Sequence, residues 1–199
     1  MVIELLYDFG SPTSYLAYKQ LPAIATRTGA RLELTPVLLG GIFKATGNAS
    51  PASVPAKGKW MMGDMAMWAR HYGVVFNRNP HFPINTLTLM RGAWWARSIG
   101  RLDAYSDAVF DAMWGAHPQN LGDEVLLTAL LQRCGFDVEA FRAGVASEPV
   151  KDALKQATER AVARGVFGCP TMFVGDRMFF GQDRLAFVEA AVRDAARAA

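Results

Sequence analysis

The chain has 199 residues, 51 % of them hydrophobic, and carries 21 basic against 18 acidic side chains for a formal net charge of +3. That length suits one large domain, or a smaller one carrying an insertion, with enough apolar material for a sizeable core. The basic residues are scattered rather than striped, which argues against a nucleic-acid partner, and no apolar run is long enough to span a bilayer. The N-terminal MVIELLYDF lacks the basic region and small-residue cleavage site of a signal peptide. The expected location is therefore the cytoplasm, with Cys134 and Cys169 as reduced thiols. Neither those two cysteines nor His71, His81 and His117 have metal-ligand spacing, so no metal site is expected.

Residues 2–9 are apolar almost throughout and read as a strand buried on both faces. Ser11 then Pro12 is a helix cap followed by the favoured first helical residue. The helix should run from Pro12 to Thr28, stop at Gly29, and hold a candidate kink at Pro22. Residues 31–38 alternate polar and apolar as a second strand. Residues 40–58, GGIFKATGNASPASVPAKG, read as a long loop holding one helical turn. Helical patterns then follow at 59–72, 86–99, 102–114, 123–134, 137–146 and 149–164, punctuated by glycines. Strand character returns at TMFVGDRMFFG, 171–181, where Gly175-Asp176 signals a hairpin. A last amphipathic helix should cover 183–198.

This order, β-α-β, then an all-helical insert, then β-β-α, is a thioredoxin-like α/β layout. Residues 1–40 and 165–199 would form one domain and 41–164 an inserted helical domain carrying a substrate loop, with a ligand cleft between them. In that layout Pro170 is expected to be cis. The pieces YDFGSPTSYLA, FKATGN and VFGCPTMFVGDRMFFGQDRL, with the insert between them, resemble the 2-hydroxychromene-2-carboxylate isomerases. These glutathione-dependent enzymes are related to kappa-class glutathione transferases and to the DsbA family.

Ser11 and Ser14 have the spacing of a C-x-x-C redox pair with serine at both ends. No G-x-S-x-G surrounds Ser11, and no His–acid pair suggests a hydrolase nucleophile. Ser11 can serve as a plain cap, or its hydroxyl can donate to a thiolate at a helix N-terminus, where free N–H groups also favour the anion. Lowering a thiol pKa by ~1.5 units from ~8.5 raises the thiolate at pH 7 from ~3 % to ~50 % and needs only ~2 kcal/mol. The resemblance implies the second role, with the reactive sulfur supplied by bound glutathione. It also implies that Cys169 and Pro170 clasp the cysteinyl unit by their backbone, and that Phe180, Gly181, Gln182 and Asp183 hold the γ-glutamyl end, with Asp183 meeting the α-ammonium. The relatives more often carry valine at position 169, and as a residue Cys169 is also simply a small hydrophobe.

The implied substrates carry a carboxylate. Lys44, Ser53 and Val54 in the Gly-rich stretch are candidate substrate contacts, with Lys57 as another anion partner and Asn85 as a polar contact from the helical side. Ile84 stands where the family often has tyrosine. The tryptophans and methionines of the insert read as core or a dimer face, with the lining of an aromatic substrate pocket as the alternative for some of them. The resemblance implies a glutathione-dependent isomerase acting on a small aromatic carboxylate, and a homodimer. Two alternatives stay open: a kappa-type glutathione transferase or peroxidase, and a redox-dead thioredoxin-like binding module.

Overall fold

A computed structural model describes residues 1–197. β1 (Val2–Tyr7), α1 (Pro12–Thr28) and β2 (Arg31–Pro36) make the expected β-α-β unit, with β1 and β2 parallel in the register Val2↔Arg31 to Tyr7↔Pro36. β3 (Thr171–Val174) and β4 (Arg177–Phe180) form the hairpin around Gly175-Asp176. β3 lies antiparallel to β1, giving the strand order β2-β1-β3-β4. α1 continues through Pro22 and ends at Gly29, as the sequence indicates.

β1 is central because both its faces are buried. Ile3, Leu5 and Tyr7 point into a core shared with α1, the helical block and the last helix, α9 (Leu185–Arg197). Leu6 points the other way, into a smaller cluster with Val37, Ile42, Ala157, Ala161 and Phe173. That alternation is what period-2 side chains impose on a strand with a layer on each side.

The 40–58 stretch differs from expectation. It forms an eight-residue helix, α2 (Leu39–Thr46), then a 3-10 turn at Pro51–Ser53. The next helix, α3 (Pro55–Tyr72), begins at Pro55 rather than at 59. Gly40-Gly41 lowers helix propensity, but Ile42 is fully buried against the back of the sheet. A Cβ on Gly41 would come within 3.2 Å of Thr158 Cγ2, so glycine lets α2 lie close to its neighbour. Tertiary burial outweighs propensity here.

The remaining block comprises α4 (Leu87–Ser98), α5 (Leu102–Trp114), α6 (Glu124–Arg133), α7 (Val138–Ala146) and α8 (Glu148–Ala163). A 3-10 turn at Gln182–Arg184 precedes α9, which therefore starts two residues later than expected; position 198 of the expected helix lies outside the described residues. Polar ties join the sheet side to the block. Tyr7 Oη and Ser106 Oγ are 2.8 Å apart, the Trp114 indole donates to the Phe9 carbonyl at 2.7 Å, and the Trp94 indole to the Pro36 carbonyl at 3.0 Å. No helix among the described residues is long and apolar enough to cross a membrane.

Candidate active site

Ser11 sits where β1 hands over to α1. It is 4 % exposed, and its Oγ accepts from the Ser14 N–H at 3.1 Å, so the cap is made. The same oxygen donates to the Cys169 carbonyl at 2.9 Å, which ties the N-terminus of α1 to the loop before β3. Thr13 Oγ1 lies 2.9 Å from Ser11 Oγ and 3.4 Å from the same carbonyl. Pro12 has no N–H, and the Tyr15 N–H goes to the Ser11 carbonyl. The Thr13 N–H is thus left without a partner among the described residues. An open N–H at a helix N-terminus next to a hydroxyl is an arrangement that favours an anion.

Next to this turn lies Asp8, which nothing in the sequence marks out. It is 1 % exposed. One carboxylate oxygen accepts from the Gly10 N–H at 2.8 Å and the other from the Leu39 N–H at 2.8 Å. Burial pushes its carboxyl above the ordinary value, against the pull of those two donors and of Thr86. Asp8 thereby joins the residue before Ser11 to the start of α2. Gly10 also packs on Thr86, at the head of α4.

The Cys169–Pro170 peptide bond is cis. The Cys169 carbonyl, one of the two backbone groups expected to meet a ligand, accepts from Ser11. The Cys169 N–H makes no hydrogen bond among the described residues. The thiol is buried, and burial followed by the Asp8 charge pushes its pKa well up. It is a packed thiol rather than a reactive thiolate. The Pro170 carbonyl accepts from the Gly181 N–H at 3.0 Å, bringing the second motif alongside the first. Gly181 has φ +98° and ψ 150°, a region open essentially to glycine alone. Phe180 is exposed and packs on Phe167 with ring centroids 4.6 Å apart. Gln182 is buried, and its carbonyl accepts from the Tyr72 hydroxyl at 2.6 Å.

Asp183 pairs with Arg184 at 2.7 Å, yet its charge also reaches α3. Burial first and Asp183 second push the Asp64 carboxyl up, and the same two causes push Tyr72 up to about 12. The Asp183 charge is thus felt by two groups of α3, Asp64 and Tyr72. Neither Asp64 nor Tyr72 stands out in the sequence, being two polar positions among many along α3.

The candidate substrate contacts are placed unevenly. Asn85 precedes Thr86, the residue against Gly10, and its Oδ1 accepts from the Leu87 N–H at 3.0 Å as a turn at the head of α4. Ser53 and Val54 are exposed at the entry to α3, and Lys57 lies in its first turn. The Asn48 amide donates to the Phe167 carbonyl at 2.8 Å, holding this stretch beside the loop that leads to Cys169. Lys44 does not join the Ser11 surroundings. It lines a groove of about 830 Å³ between α2, α4 and α8, whose walls include none of the residues around Ser11. A smaller cavity of about 460 Å³, with Tyr15, Asp111, His117 and Cys134 in its walls, is likewise separate.

A family model described as a DSBA-like thioredoxin domain matches residues 2–193. The chain is 34 % identical over 196 residues to a 2-hydroxychromene-2-carboxylate isomerase of Sphingobium xenophagum, covering 96 % of this chain and 98 % of the relative. It is 27 % identical over 201 residues to glutathione S-transferase kappa 1 of Homo sapiens, covering 92 % and 87 %. A solved structure of a 2-hydroxychromene-2-carboxylate isomerase superposes with a TM-score of 0.88 at 29 % identity, over 99 % of this chain and 97 % of that one. With the thioredoxin-like order and the Ser11–Cys169–Pro170 junction in place, the chain belongs to the DSBA-like thioredoxin family and groups there with the 2-hydroxychromene-2-carboxylate isomerases.

Proposed function

We propose that the chain is a glutathione-dependent isomerase. It would convert 2-hydroxychromene-2-carboxylate, or a similar bicyclic product of aromatic breakdown, to the ring-opened trans-hydroxybenzylidenepyruvate type of product. The observation that carries this reading is the Ser11 hydroxyl at the head of α1, beside an unpartnered Thr13 N–H and the Cys169–Pro170 bond, in a chain related end to end to proteins of that name. Bound glutathione supplies a soft nucleophile that adds to a conjugated substrate and leaves again, so that a double bond is single long enough to rotate.

The residues fit that cofactor. Ser11 would hold the thiolate of that cofactor by turning its O–H from the Cys169 carbonyl to the sulfur, and Thr13 Oγ1, already 3.4 Å from that carbonyl, would take over as its donor. The Thr13 N–H and the α1 terminus add positive potential. The Cys169 N–H is open to a carbonyl of an extended peptide. Asp183 and Asp64 suit an α-ammonium, whose charge offsets their mutual repulsion. Gly181 and Gln182 set the turn that presents Asp183, and Phe180 covers its edge. Asn85, Ser53 and Val54 are the proposed substrate contacts, with Lys57 as counter-ion to the carboxylate. Lys44 is not retained in that role, because its groove shares no wall with Ser11.

The test is glutathione calorimetry on wild type and Ser11→Ala, with thiolate absorbance followed against pH and chromene turnover followed by absorbance. The bound thiol should titrate below the ordinary ~8.5 and rise by about one unit or more in the variant, while turnover falls at least about tenfold with the lost charge-assisted bond. No binding at millimolar glutathione sinks the reading. The resemblance to the human kappa transferase supports a second reading, conjugation to a different electrophile. Product analysis separates the two, since a transferase leaves a stable conjugate in place of an isomer.

A further inference from the structure

The groove between α2, α4 and α8 shares no lining residue with the Ser11 surroundings. Its floor is apolar, with Leu38, Leu87, Leu154 and Val162 in the walls, and its volume of about 830 Å³ falls in the range of small-molecule sites. Lys44, Arg91, Lys151 and Lys155 bring positive charge to it from three helices. Lys151 is satisfied by Glu148 at 2.7 Å. Lys44, Lys155 and Arg91 make no ion pair among the described residues.

Arg91 is the informative member. It is half-buried, and its Nε is fully buried with no hydrogen-bond partner. A buried donor left unpaired is destabilising, the more so when it is charged. Glu148, whose carboxylate feels the Arg91 charge, is already bonded to Lys151. A guanidinium on an apolar wall, with donors unmatched by the protein, is complementary to an anion that brings its own hydrocarbon. Asp152 and Glu159 also line the groove. They oppose a dianion or a polyphosphate and leave a monoanion as the charge that fits.

We propose that this groove is a second ligand site, which binds an apolar monocarboxylate with its head on Arg91 and its ring or chain on Leu87, Leu154 and Val162. Lys44 on α2 and Lys155 on α8 add positive charge to the same groove. The site is independent of the glutathione reading, because it shares no residue with the Ser11 junction. Its ligand is either the enzyme's own aromatic carboxylate, substrate or product, held away from the reacting centre, or an unrelated carboxylate of the same chemistry.

The experiment is a fluorescence and calorimetric titration of the full chain with 1-naphthoate, with and without saturating glutathione. Parallel titrations use Arg91→Gln and the exposed pair Lys44→Gln/Lys155→Gln. Binding should saturate with one equivalent, weaken as salt rises, persist in the presence of glutathione, and fall about tenfold or more in Arg91→Gln. The double lysine variant should lose several-fold, and it decides the matter if Arg91→Gln loses its cooperative thermal transition. Competition by the chromene substrate at the same site would identify its source; binding of naphthoate without such competition would point to a separate carboxylate, and either supports the groove. Unchanged affinity in the variants, full displacement by glutathione, or no saturation below about 10 mM would overturn it.

Discussion

Asp8 shows how much a single side chain can carry without announcing itself. Its two oxygens hold Gly10 and Leu39, so the turn that presents Ser11 is fixed to the start of α2 by one buried carboxylate. Burial raises its pKa in the folded chain above the ordinary 3.8. The folded state therefore holds the proton more tightly than the unfolded state does. The stability linked to that proton is complete below the unfolded value and is lost as pH rises through the folded value. Asp8→Asn removes this titration and leaves one amide oxygen to serve two N–H groups, which costs about 1–3 kcal/mol at the acidic end. Urea unfolding of both proteins across a pH series should show the variant's deficit shrinking as pH rises from about 4. A deficit that stays flat or grows would mean that the carboxylate is not penalised by its burial. The sequence makes Ser11 conspicuous because it ends an apolar strand and caps a helix at once. Asp8 is one polar residue after a strand, which reads as turn chemistry, and only the later arrival of Leu39 gives its second oxygen a partner. Asp64 and Tyr72 are hidden for the same reason, since their significance depends on Asp183, more than a hundred residues away.

At the scale of the element, α1 carries both the cap and an anomaly. Ser14 is fully buried; its N–H is used by Ser11, but its Oγ has no hydrogen-bond partner. Helix interiors favour alanine over serine by up to about 0.7 kcal/mol, and an unpaired buried hydroxyl costs about 1–3 kcal/mol more. Ser14→Ala should accordingly raise the unfolding free energy by about 1 kcal/mol or more, whereas Ser11→Ala, which deletes a cap, should lower it by about as much. Denaturant midpoints for the two variants measure this contrast directly, and a loss in Ser14→Ala would mean that its hydroxyl has a partner after all. Helix α2 teaches the complementary lesson. Gly40-Gly41 and the downstream Ser-Pro run read as loop because propensity and turn residues are the local signals. Ile42 and the close approach of Gly41 to Thr158 are long-range facts, and they decide the matter. Elements whose signals are local, such as the Ser11–Gly29 helix and the Gly175-Asp176 hairpin, were legible to within a residue or two.

At the scale of the molecule, the chain order β-α-β, helices, β-β-α was legible because the change from period-2 to helical patterning is strong. How the parts share their interior was not. By sequence, residues 41–164 separate two halves of a thioredoxin-like unit. In the structure the main core crosses that line: Ile3, Leu5, Tyr7 and Phe9 pack in one cluster with Leu89, Tyr105, Phe110 and Trp114. The crossing is polar as well as apolar, since Trp114 donates to the Phe9 carbonyl and Tyr7 meets Ser106. Neither part can expose its side of this cluster without exposing the other's, so no half has a complete core of its own. The chain should therefore unfold in one transition, with calorimetric and van't Hoff enthalpies equal within error and with fluorescence and far-UV signals coincident. Trp114→Phe sharpens the test. It leaves the buried Phe9 carbonyl unpaired and shrinks the shared core, which should cost about 2–4 kcal/mol in total. If the core is shared, that loss lowers the single midpoint for both signals together. If the helical block is an autonomous domain, the same substitution splits the transition, with helical signal lost first while the sheet side persists.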